Sequence, residues 1–171
     1  MNLVFYIAAA VAILSSVLVV ARANIVHSLL NLVVSLLAVS LIFYVLGAPF
    51  VAALEVIVYA GAIMVLFIFV IMLLAVGPAS VAEEKSWLGR GVFWAPALMS
   101  LALISLLSYV LHTDATRLPV GPGIPPKELS LSLFGPYLPA VELASMLLLA
   151  GLIGAYHLGR RNPPERGGSS R

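Results

Sequence analysis

Two carboxylates, Glu55 and Glu142, stand inside long apolar runs of this 171-residue chain, and their chemistry is the first thing the sequence asks to have explained. An ionised carboxylate at the centre of a membrane-spanning helix costs about 2.5 to 3.5 kcal/mol or more, so an acid within such a run points to function by default. Glu55 follows the Gly47-Ala48-Pro49 turn by a few residues, and Glu142 follows Pro136 and Pro139 in the same way. At a rise of about 1.5 Å per residue, each sits about one to two turns inside its run, where a side chain still reaches the interface. Two uses stay open for each: a proton-handling group, or a capping or packing carboxylate near the surface. Tyr59 lies four residues beyond Glu55 on the same helix face. A phenol at that depth takes a hydrogen bond and can hold a water beside it; the alternative is a ring packed on a neighbour. Gly61, with no Cβ, makes this the place where one surplus residue enters the helical ladder at least cost. His27, Asn31 and Ser35 recur every four residues as a polar stripe that can hydrogen-bond across helices or line a hydrated path.

Other chemistries lack their residues. With zero cysteines there is no thiolate for zinc, an iron-sulfur cluster or a disulfide. The Gly121-Pro122-Gly123 element neither follows a strand nor opens a helix, so it is not a dinucleotide loop. No metal-ligand spacing, nucleophile elbow or phosphate loop is present. Hydrophobic residues make up 63% and charged residues 9%, against about 45 to 50% and about 25% in a soluble domain. A water-soluble fold is excluded, and so is a nucleic-acid binder, which needs a dense basic face rather than 9 basic against 7 acidic residues.

The elements that must position these groups are membrane-spanning helices, since about 20 apolar residues cross a bilayer. The spans read as about 3–21, 25–46, 51–76, 91–112 and 137–158, giving an all-α integral membrane protein with one five-helix transmembrane domain over 1–160. Pro49 breaks the chain between the second and third spans, Gly77-Pro78 stops the third, and Pro96 lies in the first turns of the fourth. His112 to Pro136 reads as a loop outside the hydrocarbon. His112 and His157 fall at span ends and read as interfacial. The first charge is Arg22, so the start lacks the basic region of a cleaved signal and reads as a retained first span. Arg22, Lys85, Arg90, Arg160, Arg161, Arg166 and Arg171 fall on one side, and Arg117 and Lys127 on the other. By the positive-inside rule the N-terminus is outside and the C-terminus cytoplasmic. Residues 161–171 have no apolar periodicity and read as a mobile cytoplasmic tail. Ala150, Gly151, Gly154 and Ala155 give the fifth span a small face for close helix packing, within the chain or with another subunit. No internal repeat points to an inverted-repeat transporter.

Glu55-Val-Ile-Val-Tyr59-Ala-Gly61-Ala-Ile-Met-Val-Leu-Phe-Ile-Phe-Val-Ile-Met-Leu73 resembles the signature third helix of the J subunit (chain 6) of proton-pumping NADH:quinone oxidoreductase, respiratory complex I. Leu133-Phe-Gly-Pro-Tyr137 and Val141-Glu-Leu-Ala-Ser-Met-Leu-Leu-Leu-Ala-Gly151 resemble its last helix, and Asn24-Ile-Val-His27-Ser-Leu-Leu the start of its second. The resemblance implies a non-redox membrane-arm subunit of a bacterial inner (cytoplasmic) membrane, with no catalytic centre or cofactor of its own. NADH, FMN, iron-sulfur clusters and quinone belong to partner subunits, and the neighbours are the A, K, H and N types together with lipid. It also implies a π-bulge close to Tyr59 and Gly61, and rotation of that helix between bulged and regular α forms is associated with opening a hydrated path. Glu55, Tyr59, Gly61 and Glu142 are then the residues of the proton path or coupling, and Gly151 and Gly154 those of helix packing. Two other readings stand beside it: a purely structural scaffold, and the related subunit of a cation/proton antiporter or membrane-bound hydrogenase.

Overall fold

The computed structural model describes residues 2–22, 25–74, 94–112 and 123–160. The Gly77-Pro78 stop, residues 75–76 and 91–93 of the expected third and fourth spans, the charged segment at 83–86 and the tail at 161–171 lie outside them. The described chain is helical: α1 (Asn2–Ala21), α2 (Ile25–Val45), α3 (Pro49–Glu55), a π-helical segment (Val56–Ile63), α4 (Met64–Leu74), α5 (Trp94–His112), α6 (Pro126–Leu133) and α7 (Leu138–Gly159). Five helices among the described residues are long and apolar enough to cross a membrane: Leu3–Ala21, His27–Val45, Pro49–Leu73, Trp94–His112 and Leu138–Gly159. The third runs unbroken through α3, the π segment and α4.

The chain forms two compact units, Met1–Pro125 and Pro126–Arg171. In the first, α1 and α2 pack as an antiparallel hairpin. The buried positions alternate by four and three residues, Val4, Ala8, Val11 and Ser15 on α1 and Asn31, Val34, Ala38, Leu41 and Val45 on α2. That spacing is the seam of two helices inclined at about 20°. Ala8, Ala12 and Ala38 are its small members, and they let the two backbones approach closely, which is what holds helices together where lipid is as apolar as the core. Leu103 and Val110 of α5, seven residues apart, complete the cluster. Ser15 Oγ donates to Met99 Sδ at 3.2 Å, tying α1 to α5.

The turn from α2 to α3 follows from Gly47. Its φ of +84° lies in the left-handed region that residues with a Cβ disfavour. The Gly47 N–H donates to the Tyr44 carbonyl at 3.1 Å and the Ala48 N–H to the Phe43 carbonyl at 3.0 Å, the paired bonds that close a helix C-terminus. Pro49 then stands in the first turn of α3, where its missing N–H costs nothing. The Ile124 N–H donates to the Gly47 carbonyl at 2.9 Å, so the chain after α5 returns to this same turn.

In the second unit, α6 and α7 are joined by a turn at residues 134–137. The sequence reading makes His112 to Pro136 loop throughout, whereas Pro126–Leu133 is helical. Pro126 opens the helix with its fixed φ, and Glu128 lies in the first turn, where a carboxylate complements the helix dipole. At Gly135 an added Cβ would lie 2.6 Å from the Leu131 carbonyl oxygen, so this turn requires glycine.

Candidate functional site

The π-helical segment Val56–Ile63 occupies the stretch that contains Tyr59 and Gly61, with Glu55 as the last residue of α3 before it. At its far end the Met64 N–H donates to the carbonyl of Tyr59, five residues back, and to that of Gly61. A five-residue bond is the wide π register, which carries one more residue per turn than the α ladder allows. At its near end the Val56 N–H is shared between the carbonyls of Ala52 and Ala53. The Ala52 carbonyl also accepts from Ser40 Oγ of α2 at 2.8 Å. A side chain of the neighbouring helix therefore competes for the acceptor on which the regular ladder depends at the point where the register changes.

Packing divides the third span in the same way. Ala52 and Met64, on either side of the segment, are 4% and 1% exposed, whereas the segment itself contains no buried residue. Two buried residues thus bracket a stretch that is exposed or half-buried among the described residues. A half-open, apolar cavity of about 340 Å³ lies beside its start, between α2, α3 and α5, lined among others by Leu37, Tyr44, Ala52, Val56, Ser100 and Leu103. Interiors are normally packed without such voids, so the first residue of the segment has room to move.

Gly61 fits the wide register narrowly. An added Cβ would stand 3.2 Å from the Val56 carbonyl oxygen, five residues back, closer than ordinary van der Waals contact. The Tyr59 side chain is 48% exposed and that of Glu55 is partly exposed. Three of the residues singled out from the sequence, Glu55, Tyr59 and Gly61, are thus brought into one local structure. Glu142 lies on α7 in the second unit and is exposed, and its neighbour Ser145 donates to the Glu142 carbonyl at 2.7 Å. Gly151 and Gly154 share α7, and a Cβ added at either meets nothing within 4 Å.

The stripe His27, Asn31 and Ser35 is buried in the α1–α2 seam. Ser35 Oγ donates to the Ala12 carbonyl at 3.1 Å and lies 2.9 Å from Ser16 Oγ, and Asn31 Nδ2 donates to the His27 carbonyl at 2.9 Å. Sequence reasoning overlooked Ser16 and Ser40. The first had a signal, because antiparallel pairing of the first two spans sets the later part of the first, with Ser16, against the earlier part of the second, with Ser35. Ser40 had none, since its partner is a backbone carbonyl.

Five apolar helices of spanning length, one of them interrupted by a π segment at a Glu-Tyr-Gly cluster, define a polytopic α-helical membrane protein. The family model described as NADH-ubiquinone/plastoquinone oxidoreductase chain 6 matches residues 15–158, and the chain belongs to that family. Among its relatives, NADH-quinone oxidoreductase subunit J of Pseudomonas aeruginosa is 52% identical over 170 residues, covering 96% of this chain and all of the relative. Subunit J of Escherichia coli K12 is 47% identical over 168 residues, 98% of this chain and 90% of the relative. That of Buchnera aphidicola from Schizaphis graminum is 44% identical over 161 residues.

Proposed function

We propose that this chain is the J-type membrane-arm subunit of a proton-translocating NADH:quinone oxidoreductase, and that its third span couples quinone reduction to proton movement by switching between π and α registers. The observation that carries the reading is the π segment Val56–Ile63, which lies between the buried Ala52 and Met64 and contains no buried residue itself. A helix with one surplus residue has two discrete hydrogen-bond registers, the kind of bistable element through which distant events are coupled. Glu55 and Tyr59 supply the polar groups that hydrate when the register changes, Gly61 is the hinge, and Glu142 is a further acid of the path. Gly151 and Gly154 offer α7 a close-packing face for a neighbouring helix.

The five spans act as one domain over 1–160 in the bacterial inner membrane, with the N-terminus outside and residues 161–171 as a cytoplasmic tail, as the distribution of basic residues supports. The partners are the A, K, H and N type subunits, and NADH, FMN, iron-sulfur clusters and quinone are bound by partner subunits. The test is Gly61→Leu in the complete enzyme. Its side chain meets the Val56 carbonyl, so assembly remains intact while turnover or proton pumping slows. A normal rate and proton-to-electron ratio would sink the hinge role. Full activity in Glu55 and Tyr59 variants as well, with defects confined to Gly151 and Gly154 variants, would make the chain a scaffold instead.

A further inference from the structure

Away from the third span, the α1–α2 seam contains a polar atom that no described residue satisfies. Asn31 is 1% exposed. Its Nδ2 donates to the His27 carbonyl, which fixes the way the amide faces, because the reversed amide would set oxygen against oxygen. Its Oδ1 accepts no hydrogen bond among the described residues. A buried acceptor left unmet is destabilising, so such an atom calls for a donor from outside the described residues.

The seam around it is built for water. One turn on, Ser35 gives its only hydroxyl hydrogen to the Ala12 carbonyl, so in its pair with Ser16 it is the acceptor, and it keeps a second lone pair. Two acceptors thus stand four residues apart on one helix face, a rise of about 6 Å. Two hydrogen-bonded waters, each about 2.8 Å from its neighbours, bridge such a rise. His27, 5% exposed, lies one turn before Asn31 on the same face and brings an imidazole, whose two ring nitrogens can accept a proton on one side and donate one on the other.

We propose that the seam binds water between Asn31 and Ser35, and that this water forms with His27 a proton-carrying file separate from the π segment. Each water, and the imidazole, accepts one proton as it releases another, and turns afterwards to restore its starting hydrogen positions; Asn31 and Ser35 hold the water and are not themselves protonated. The water-binding half stands by itself; the proton-carrying half rests on the role in proton translocation proposed above.

Two measurements on the assembled enzyme test it. A cryo-EM map that shows ordered water is expected to place water within hydrogen-bonding distance of Asn31 Oδ1 and of Ser35 Oγ; a dry seam, or a neighbouring subunit's side chain on Oδ1, overturns the proposal. In vesicles, Asn31→Leu is expected to lose this water and pump several-fold more slowly, whereas Asn31→Ser, which keeps a hydroxyl and leaves room for water, is expected to pump close to normally. Equal rates in the two variants overturn the relay. Should Asn31→Leu fail to assemble, Ser35→Ala, which removes the second acceptor, takes its place in the comparison. The map is read in the resting enzyme, so a dry seam leaves the reading of the third span untouched, and a null result for Gly61→Leu leaves the water at Asn31 untouched.

Discussion

Glu55 and Gly61 flank Tyr59 in the same local structure but bear on it differently. A Cβ added at Gly61 would stand 3.2 Å from a backbone oxygen, so any side chain there acts on the register itself, whereas Glu55 precedes the segment and stays partly exposed near the start of the span. Glu55→Gln keeps shape and hydrogen bonding while removing the charge. It is expected to reduce pumping in reconstituted vesicles less than Gly61→Leu does, since a carboxylate near the interface tunes hydration rather than gating it. Abolished pumping in Glu55→Gln would instead make it an obligatory proton carrier. These residues were legible in the sequence because acids, phenols and glycines are conspicuous in apolar runs. Ser40 was not, because a serine in a membrane helix looks the same whether it bonds to its own turn, as Ser105 does with Ala102, or to the helix beside it.

At the scale of elements, the bond from Ser40 to the Ala52 carbonyl links α2 to the start of the π segment. Ser40→Ala frees that carbonyl for the helical ladder and is expected to favour the α register. Amide exchange at Val56 in the assembled enzyme should slow as its N–H gains an undivided acceptor, and unchanged exchange would count against the link. The α6–α7 turn makes a different demand. Gly135→Ala sets a Cβ against the Leu131 carbonyl, an overpacking of backbone that costs about 1 to 3 kcal/mol. A lower midpoint of thermal disassembly for the variant complex checks it. A register change near Gly61 was legible, but its eight-residue length was not, because the extent depends on Ala52 and Met64 being held while the residues between are free. The helix Pro126–Leu133 was missed for a local reason: the prolines and glycine before it read as loop, and one of those prolines opens the helix.

For the whole molecule, five spans could be read from hydropathy because the bilayer's thickness sets their length. Which faces pack could not, since helices apolar on every side carry no stripe to mark the buried face. The α1–α2 seam is marked by small and hydroxyl residues instead, a signal easily lost among so many alanines. Orientation rests on the basic residues, and the lack of native cysteines makes it simple to check. In intact cells a membrane-impermeant maleimide, given access to the outer face of the inner membrane, is expected to label Ser130→Cys, and to reach Arg160→Cys only after permeabilisation. The reverse pattern would invert the topology. The register switch proposed for the third span would also set the size of the signal this chain can answer. In that proposal, exchanging one backbone register for another moves no charge on the chain and leaves the ladder nearly complete. Swinging such an equilibrium from 1:99 to 99:1 takes about 5.5 kcal/mol of differential contact, an amount that a neighbouring helix gripping one register more tightly than the other can supply.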